Sequence, residues 1–108
     1  MIHFVGAGSG APDLITLRGK TFLEQADVII YAGSLVNPQL LDYAKEGCQI
    51  YNSATMTLEE VLDVMFAAEE EKKMTVRLHT GDPCLYGAIR EQMDVLDERN
   101  IEYDYTPG

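Results

Sequence analysis

Two short segments carry residue types that could do chemistry. The first, Val5-Gly6-Ala7-Gly8-Ser9-Gly10-Ala11, sets glycine at alternate positions, which lets a backbone turn through positive φ or approach a ligand closely. It satisfies the dinucleotide pattern G-x-G-x-x-A and equally the G-x-G-x-G of common methyltransferases; a purely structural tight turn is the third reading. Two details speak against a nucleotide cradle. Ala11-Pro12-Asp13 stands between the loop and the helix that would have to receive a pyrophosphate. The second strand ends Ile30-Tyr31-Ala32-Gly33 where a ribose would want an acid, and Asp27 lies at the opposite end of that strand.

The second segment is His79-Thr80-Gly81-Asp82-Pro83-Cys84-Leu85-Tyr86-Gly87. Gly81 would admit a ligand to the backbone, Asp82 can accept from an amine or hydroxyl, and Leu85 and Tyr86 offer an apolar wall. The alternative is a type I turn with Asp and Pro in favoured places. His79 reads either as a proton handler or as an inert histidine at a strand end, and no motif activates Cys84. Arg18, Arg77 and Arg90 could each meet a ligand carboxylate or an ordinary ion-pair partner. No spacing marks a Ser/His/Asp or Cys/His set, so no catalytic residue is assigned, and no metal-ligand set is visible.

Strands and helices must position these loops. Strand patterns occur at Ile2–Val5, Val28–Tyr31, Gln49–Tyr51, Thr75–His79 and Ile101–Tyr105, and helical ones at Thr16–Gln25, Pro38–Ala44, Leu58–Glu71 and Ala88–Glu98. Asn37 before Pro38 supplies an N-cap and a first-turn proline. Thr57 with Glu60 predicts a capping box, and Leu58, Val61, Leu62, Met65 and Ala68 predict one apolar face. Gly47 and Asn100 are expected to end helices. The alternation predicts an α/β fold: an open, mainly parallel five-stranded sheet with helices on both faces. Ligands of such sheets bind off the carboxyl ends of the strands, where both loops lie.

The chain has 108 residues with 46% hydrophobic and 24% charged, the proportions of one folded domain. Net charge is −10, with 5 acids against 3 bases in residues 1–54 and 13 against 5 in 55–108. That balance argues against nucleic acid as a partner and leaves any anionic ligand to local amides and a few placed bases. No apolar run is long enough for a membrane, and Met1 leads straight into a strand pattern without a secretory signal, so a cytoplasmic protein is expected. Cys48 and Cys84 are expected to be reduced thiols. The acid run Glu69–Glu71 is expected to be a solvated surface.

Residues 5–16, 26–36 and above all His-Thr-Gly-Asp-Pro-Cys-Leu-Tyr-Gly-Ala-Ile-Arg-Glu-Gln-Met (79–93) resemble the tetrapyrrole methylases of cobalamin biosynthesis. The resemblance runs through the whole chain and corresponds to the N-terminal half of a family member, with Thr106-Pro107-Gly108 at the junction to a second α/β domain. It implies methyl transfer from S-adenosyl-L-methionine, leaving S-adenosyl-L-homocysteine, to C(11) of a reduced corrinoid, precorrin-4 with or without cobalt. Any cobalt would belong to the substrate.

It further implies that Thr80, Gly81, Asp82, Leu85, Tyr86 and Ser9 face the cofactor and that Gly8 and Gly10 shape the substrate side. Ser9 stands where many relatives have proline, and Ala11 where they have an acid. Ala32 replaces an aspartate that is catalytic in some uroporphyrinogen-methylating relatives. A homodimer is implied for the full-length protein, and weak activity for this half alone. Two alternatives are a family member with another substrate and a non-catalytic small-ligand domain.

Overall fold

A computed structural model describes residues 1–6, 17–31, 38–79 and 86–106. Five strands, β1 (Ile2–Gly6), β2 (Val28–Tyr31), β3 (Gln49–Asn52), β4 (Thr75–His79) and β5 (Tyr103–Thr106), form one sheet in the order β3-β2-β4-β1-β5. Every pairing is parallel. Helices α1 (Leu17–Gln25), α2 (Leu58–Glu70) and α3 (Tyr86–Glu98) connect them. The expected α/β sheet is therefore present, and parallel throughout.

Alternation along the strands divides the core. Val5, Ile29, Val76 and Leu78 pack with Leu23 of α1 and with Leu40, while Ile2, Phe4, Val28 and Ile30 pack on the opposite face under α2 and α3. Strands covered on both faces have no polar side to present, which explains the apolar runs of β1 and β2.

The helix ends follow local chemistry. In the capping box of α2, Thr57 Oγ1 accepts from the Glu60 N–H at 3.1 Å and Glu60 Oε1 accepts from the Thr57 N–H at 2.9 Å. Both α2 and α3 close in the same way. Lys73 N–H donates to Ala68 O and Lys72 N–H to Glu69 O, and Ile101 N–H donates to Leu96 O and Asn100 N–H to Asp97 O. The left-handed residues these closures need are Lys72 (φ 58°) and Asn100 (φ 57°).

Several expectations need correction. Pro38–Tyr43 is a 3₁₀ helix, not an α-helix; six residues suit the tighter i→i+3 ladder, as the Ala44 N–H to Leu41 O bond shows. A further 3₁₀ turn, Ser53–Thr55, is capped by Asn52, whose side chain accepts from the Ala54 N–H. Ile101 is drawn into the closure of α3, so β5 starts at Tyr103. Leu58, at the first position of α2, is 37% exposed, while Val61, Leu62, Met65 and Ala68 of the expected apolar face are buried. Gly47 (φ 84°) turns the chain before β3. The acid run is only partly a bare solvated surface: Glu69 meets the N-terminal ammonium at 2.6 Å and Glu71 meets Lys73 at 2.7 Å. Asn37 lies outside the described residues.

Candidate functional site

The two loops singled out above leave from neighbouring strands at the same level. In the β1–β4 ladder Gly6, the last residue of β1, stands opposite His79, the last of β4. On the flanks Thr106 of β5 pairs with Val5, and Tyr31 of β2 with Leu78. From these ends the chain diverges: the connection after β1 leads to α1 on one face, and that after β4 leads to α3 on the other. Adjacent parallel strands whose connections part to opposite faces leave a crevice beyond their carboxyl ends, the place where open α/β sheets bind ligands.

Of the residues expected to form the site, Gly8, Ser9, Gly10, Thr80, Gly81, Asp82 and Leu85 lie outside the described residues, as do Ala32 and Cys84. Tyr86 is the first residue of α3. What the structure does describe is the strand ends that form the floor of the crevice and the residues beneath them.

The floor departs from ordinary sheet chemistry. On the face toward α2 and α3, β4 presents Thr75, Arg77 and His79, all buried, between apolar Ile2, Phe4, Val28 and Ile30 of its neighbours. His79, 3% exposed, stacks on Tyr105 with ring centroids 5.4 Å apart and planes inclined by 25°. Arg77, 5% exposed, donates through Nε to Gln92 Oε1 at 3.2 Å and through Nη1 to Ile30 O and Leu78 O at 3.4 and 3.2 Å. Burial pushes the guanidinium down to about 10, still far above neutrality, so the charge is kept.

Arg18 and Arg90, the other two arginines weighed as ligand contacts, are on the surface. Arg18 lies over the Phe22 ring, 3.7 Å from Asp104, and Arg90 pairs with Asp94 one turn along α3 at 3.4 Å. Asp104 also meets His3 Nδ1 at 2.6 Å, and His3 stacks flat on Phe22.

Asp27 is confirmed at the far side of the sheet. Its carboxylate accepts from Lys45 Nζ at 2.6 Å and from the Met74 N–H at 2.9 Å, bracing the amino ends of β2 and β4. The described part of β2 therefore has no acid facing the crevice.

Gln92 and Tyr105 were missed by sequence reasoning. Gln92 carried a legible signal, since it lies three residues after Ile89 and four before Leu96, on the apolar stripe of α3. A polar residue at a core position requires a buried partner. Among the described residues no group of three or more His, Cys, Asp or Glu side chains could hold a metal ion, and no helix is long and apolar enough to cross a membrane.

The family model of the Tetrapyrrole (Corrin/Porphyrin) Methylases matches residues 1–108. The chain is 59% identical over 107 residues to a cobalt-precorrin-4 C(11)-methyltransferase of Methanocaldococcus jannaschii, covering 99% of this chain and 41% of that protein. It thus spans about two-fifths of that relative's length. Among solved structures, the X-ray structure of a cobalt precorrin-4 methyltransferase superposes with a TM-score of 0.92 at 46% identity, over 99% of this chain and 45% of the other. A uroporphyrin-III C-methyl transferase from Thermus thermophilus, complexed with S-adenosylhomocysteine, superposes with a TM-score of 0.79 at 29% identity, over 99% and 44%.

Proposed function

The chain belongs to the tetrapyrrole (corrin/porphyrin) methylases, and we propose that it is the N-terminal half of a two-domain C-methyltransferase acting on C(11) of precorrin-4 or its cobalt form. The observation that carries the reading is the 59% identity to a cobalt-precorrin-4 C(11)-methyltransferase along nearly the whole chain. The cofactor is S-adenosyl-L-methionine, whose sulfonium supplies an electrophilic methyl group to an electron-rich carbon of the reduced macrocycle. The cleft would be completed by a second domain following Gly108, and the full-length protein would be a cytoplasmic homodimer.

The described residues fit such a cofactor. Gly6 and His79 end adjacent strands at one level, and the connections beyond them part to opposite faces. Thr80, Gly81 and Asp82, with amides and a carboxylate able to meet an amino or hydroxyl group, and apolar Leu85 and Tyr86 are the residues proposed to contact the cofactor. Ser9 would face the cofactor as well, with Gly8 and Gly10 on the side of the macrocycle. In-line transfer between two bound partners needs alignment and exclusion of water more than a nucleophile, which agrees with the lack of any triad spacing. His79, buried and stacked on Tyr105, supports the floor of this site.

The test is a titration of the full-length protein with S-adenosylhomocysteine and with NAD, followed by mass spectrometry of the product from each candidate precursor. Binding of the first alone, with one methyl added to precorrin-4 or cobalt-precorrin-4, is expected. Binding of NAD alone overturns the proposal.

A further inference from the structure

The buried guanidinium of Arg77 joins the strand that enters the 80–85 loop to the helix that leaves it. Its Nε donates to Gln92 Oε1 across fifteen positions of sequence, on the second turn of α3, while Nη1 donates to Ile30 O and Leu78 O. Those two carbonyls lie one residue before the ends of β2 and β4. One planar group therefore fixes the ends of two strands and the beginning of a helix relative to each other. We propose that Arg77, through Gln92, is the positioning residue of the 80–85 loop, holding its two ends at the separation at which the loop receives its ligand.

Stability alone does not account for this arrangement. Position 77 is flanked across the sheet by Phe4 and Ile30, and an apolar side chain would suit those neighbours. Removing a guanidinium from water is costly, and replacing a buried polar pair by well-packed apolar residues is often neutral or stabilising. A lysine could not reproduce the fork either, since it offers one point of donation where Arg77 uses two nitrogens in a fixed plane. The charge is spent beside the loop, where position matters and a shift of an ångström is felt.

The inference rests on the proposed cofactor role of the loop, and the test separates the two. In the full-length protein, the double variant Arg77→Met/Gln92→Leu is expected to melt close to the parent. Its dissociation constant for S-adenosylhomocysteine is expected to rise about tenfold, the scale of one net hydrogen bond's positioning. The KM for S-adenosylmethionine should rise in step, with kcat at saturation held.

A destabilised control, Met65→Ala on α2, should lower the melting temperature and leave the dissociation constant unchanged. Should the double variant not fold, Gln92→Leu is expected to weaken binding and Gln92→Glu, which restores an acceptor for the guanidinium, to recover it. Parent-like affinity and KM in all of these variants overturns the positioning role while leaving the methyltransferase reading intact. Failure of the parent protein itself to bind S-adenosylhomocysteine overturns both.

Discussion

Replacing Asp27 by alanine is expected to destabilise this chain by about 2 kcal/mol near neutral pH and to have almost no effect in strong acid. Asp27 Oδ2 accepts the Met74 N–H at 2.9 Å, and Oδ1 accepts Lys45 Nζ at 2.6 Å. Its own N–H donates to Met74 O, a bond alanine keeps. A hydrogen bond to a charged acceptor contributes roughly 1.5–3 kcal/mol. The lysine pair adds less than about 1 kcal/mol, because both side chains are substantially exposed. At about 4–8 °C per kcal/mol for a domain of this size, the melting temperature should fall by roughly 8–16 °C.

The bond from Lys45, then that from the Met74 N–H, hold the Asp27 carboxyl below its ordinary value of 3.8. The folded protein thus takes up this proton less readily than the unfolded chain does. The contribution is complete above the ordinary value and is lost as pH falls through the lower folded-state one. Urea denaturation of both proteins, followed by circular dichroism near neutral pH and in acid, measures the gap at each pH. A gap that stays the same in acid, or no gap near neutrality, refutes the bracing role.

Thr57→Ala, which opens the α2 capping box, should cost about 0.5–2 kcal/mol in the same urea assay. Lys72→Gly should raise stability by about 0.5–1 kcal/mol, since Lys72 closes α2 at φ 58° where a side chain is penalised; a melting curve at or below the parent's would contradict this. Asp82→Ala in the full-length protein should weaken S-adenosylhomocysteine roughly ten- to a hundredfold by calorimetric titration. Unchanged affinity with a lower melting temperature would make Asp82 a turn residue only. Residues 1–108 alone should turn over far more slowly than the full-length protein, and comparable rates would refute the two-domain cleft.

Where period and termination signals coincide, the fold was legible in the residues. Val28–Tyr31 and Thr75–His79 are apolar or β-prone runs bounded by breaks, and both are strands with those limits. Thr57 and Glu60 announced α2 through a local reciprocal bond that needs no tertiary partner. Ile101 was harder. It is apolar and β-branched like a strand residue, yet its N–H is taken by Leu96 O to close α3. Lys72 gave no signal, because a lysine in the left-handed region is imposed by the hydrogen bonds around it and not by its own preference.

The place of the candidate site follows from chain order more than from side chains. The chain passes from β1 to β2 in one direction along the sheet and from β4 to β5 in the other, so right-handed crossovers put α1 and α3 on opposite faces, and that sets a crevice above Gly6 and His79. The roles proposed for Ser9, Thr80, Asp82 and Leu85 rest on resemblance, since glycine, aspartate and proline serve a plain turn equally well. The residues beneath them tell more. A central strand covered on both faces should be apolar on both, as β1 and β2 nearly are, yet β4 places Thr75, Arg77 and His79 under the helices. Sequences depart from such local consistency mainly where function asks for it. Here the departure runs along the strand that leads into the 80–85 loop, and its one cation reaches the helix on the loop's other side. That coincidence of a broken packing rule with the loop's two anchors is the physical reason to look for the protein's chemistry at this end of the sheet.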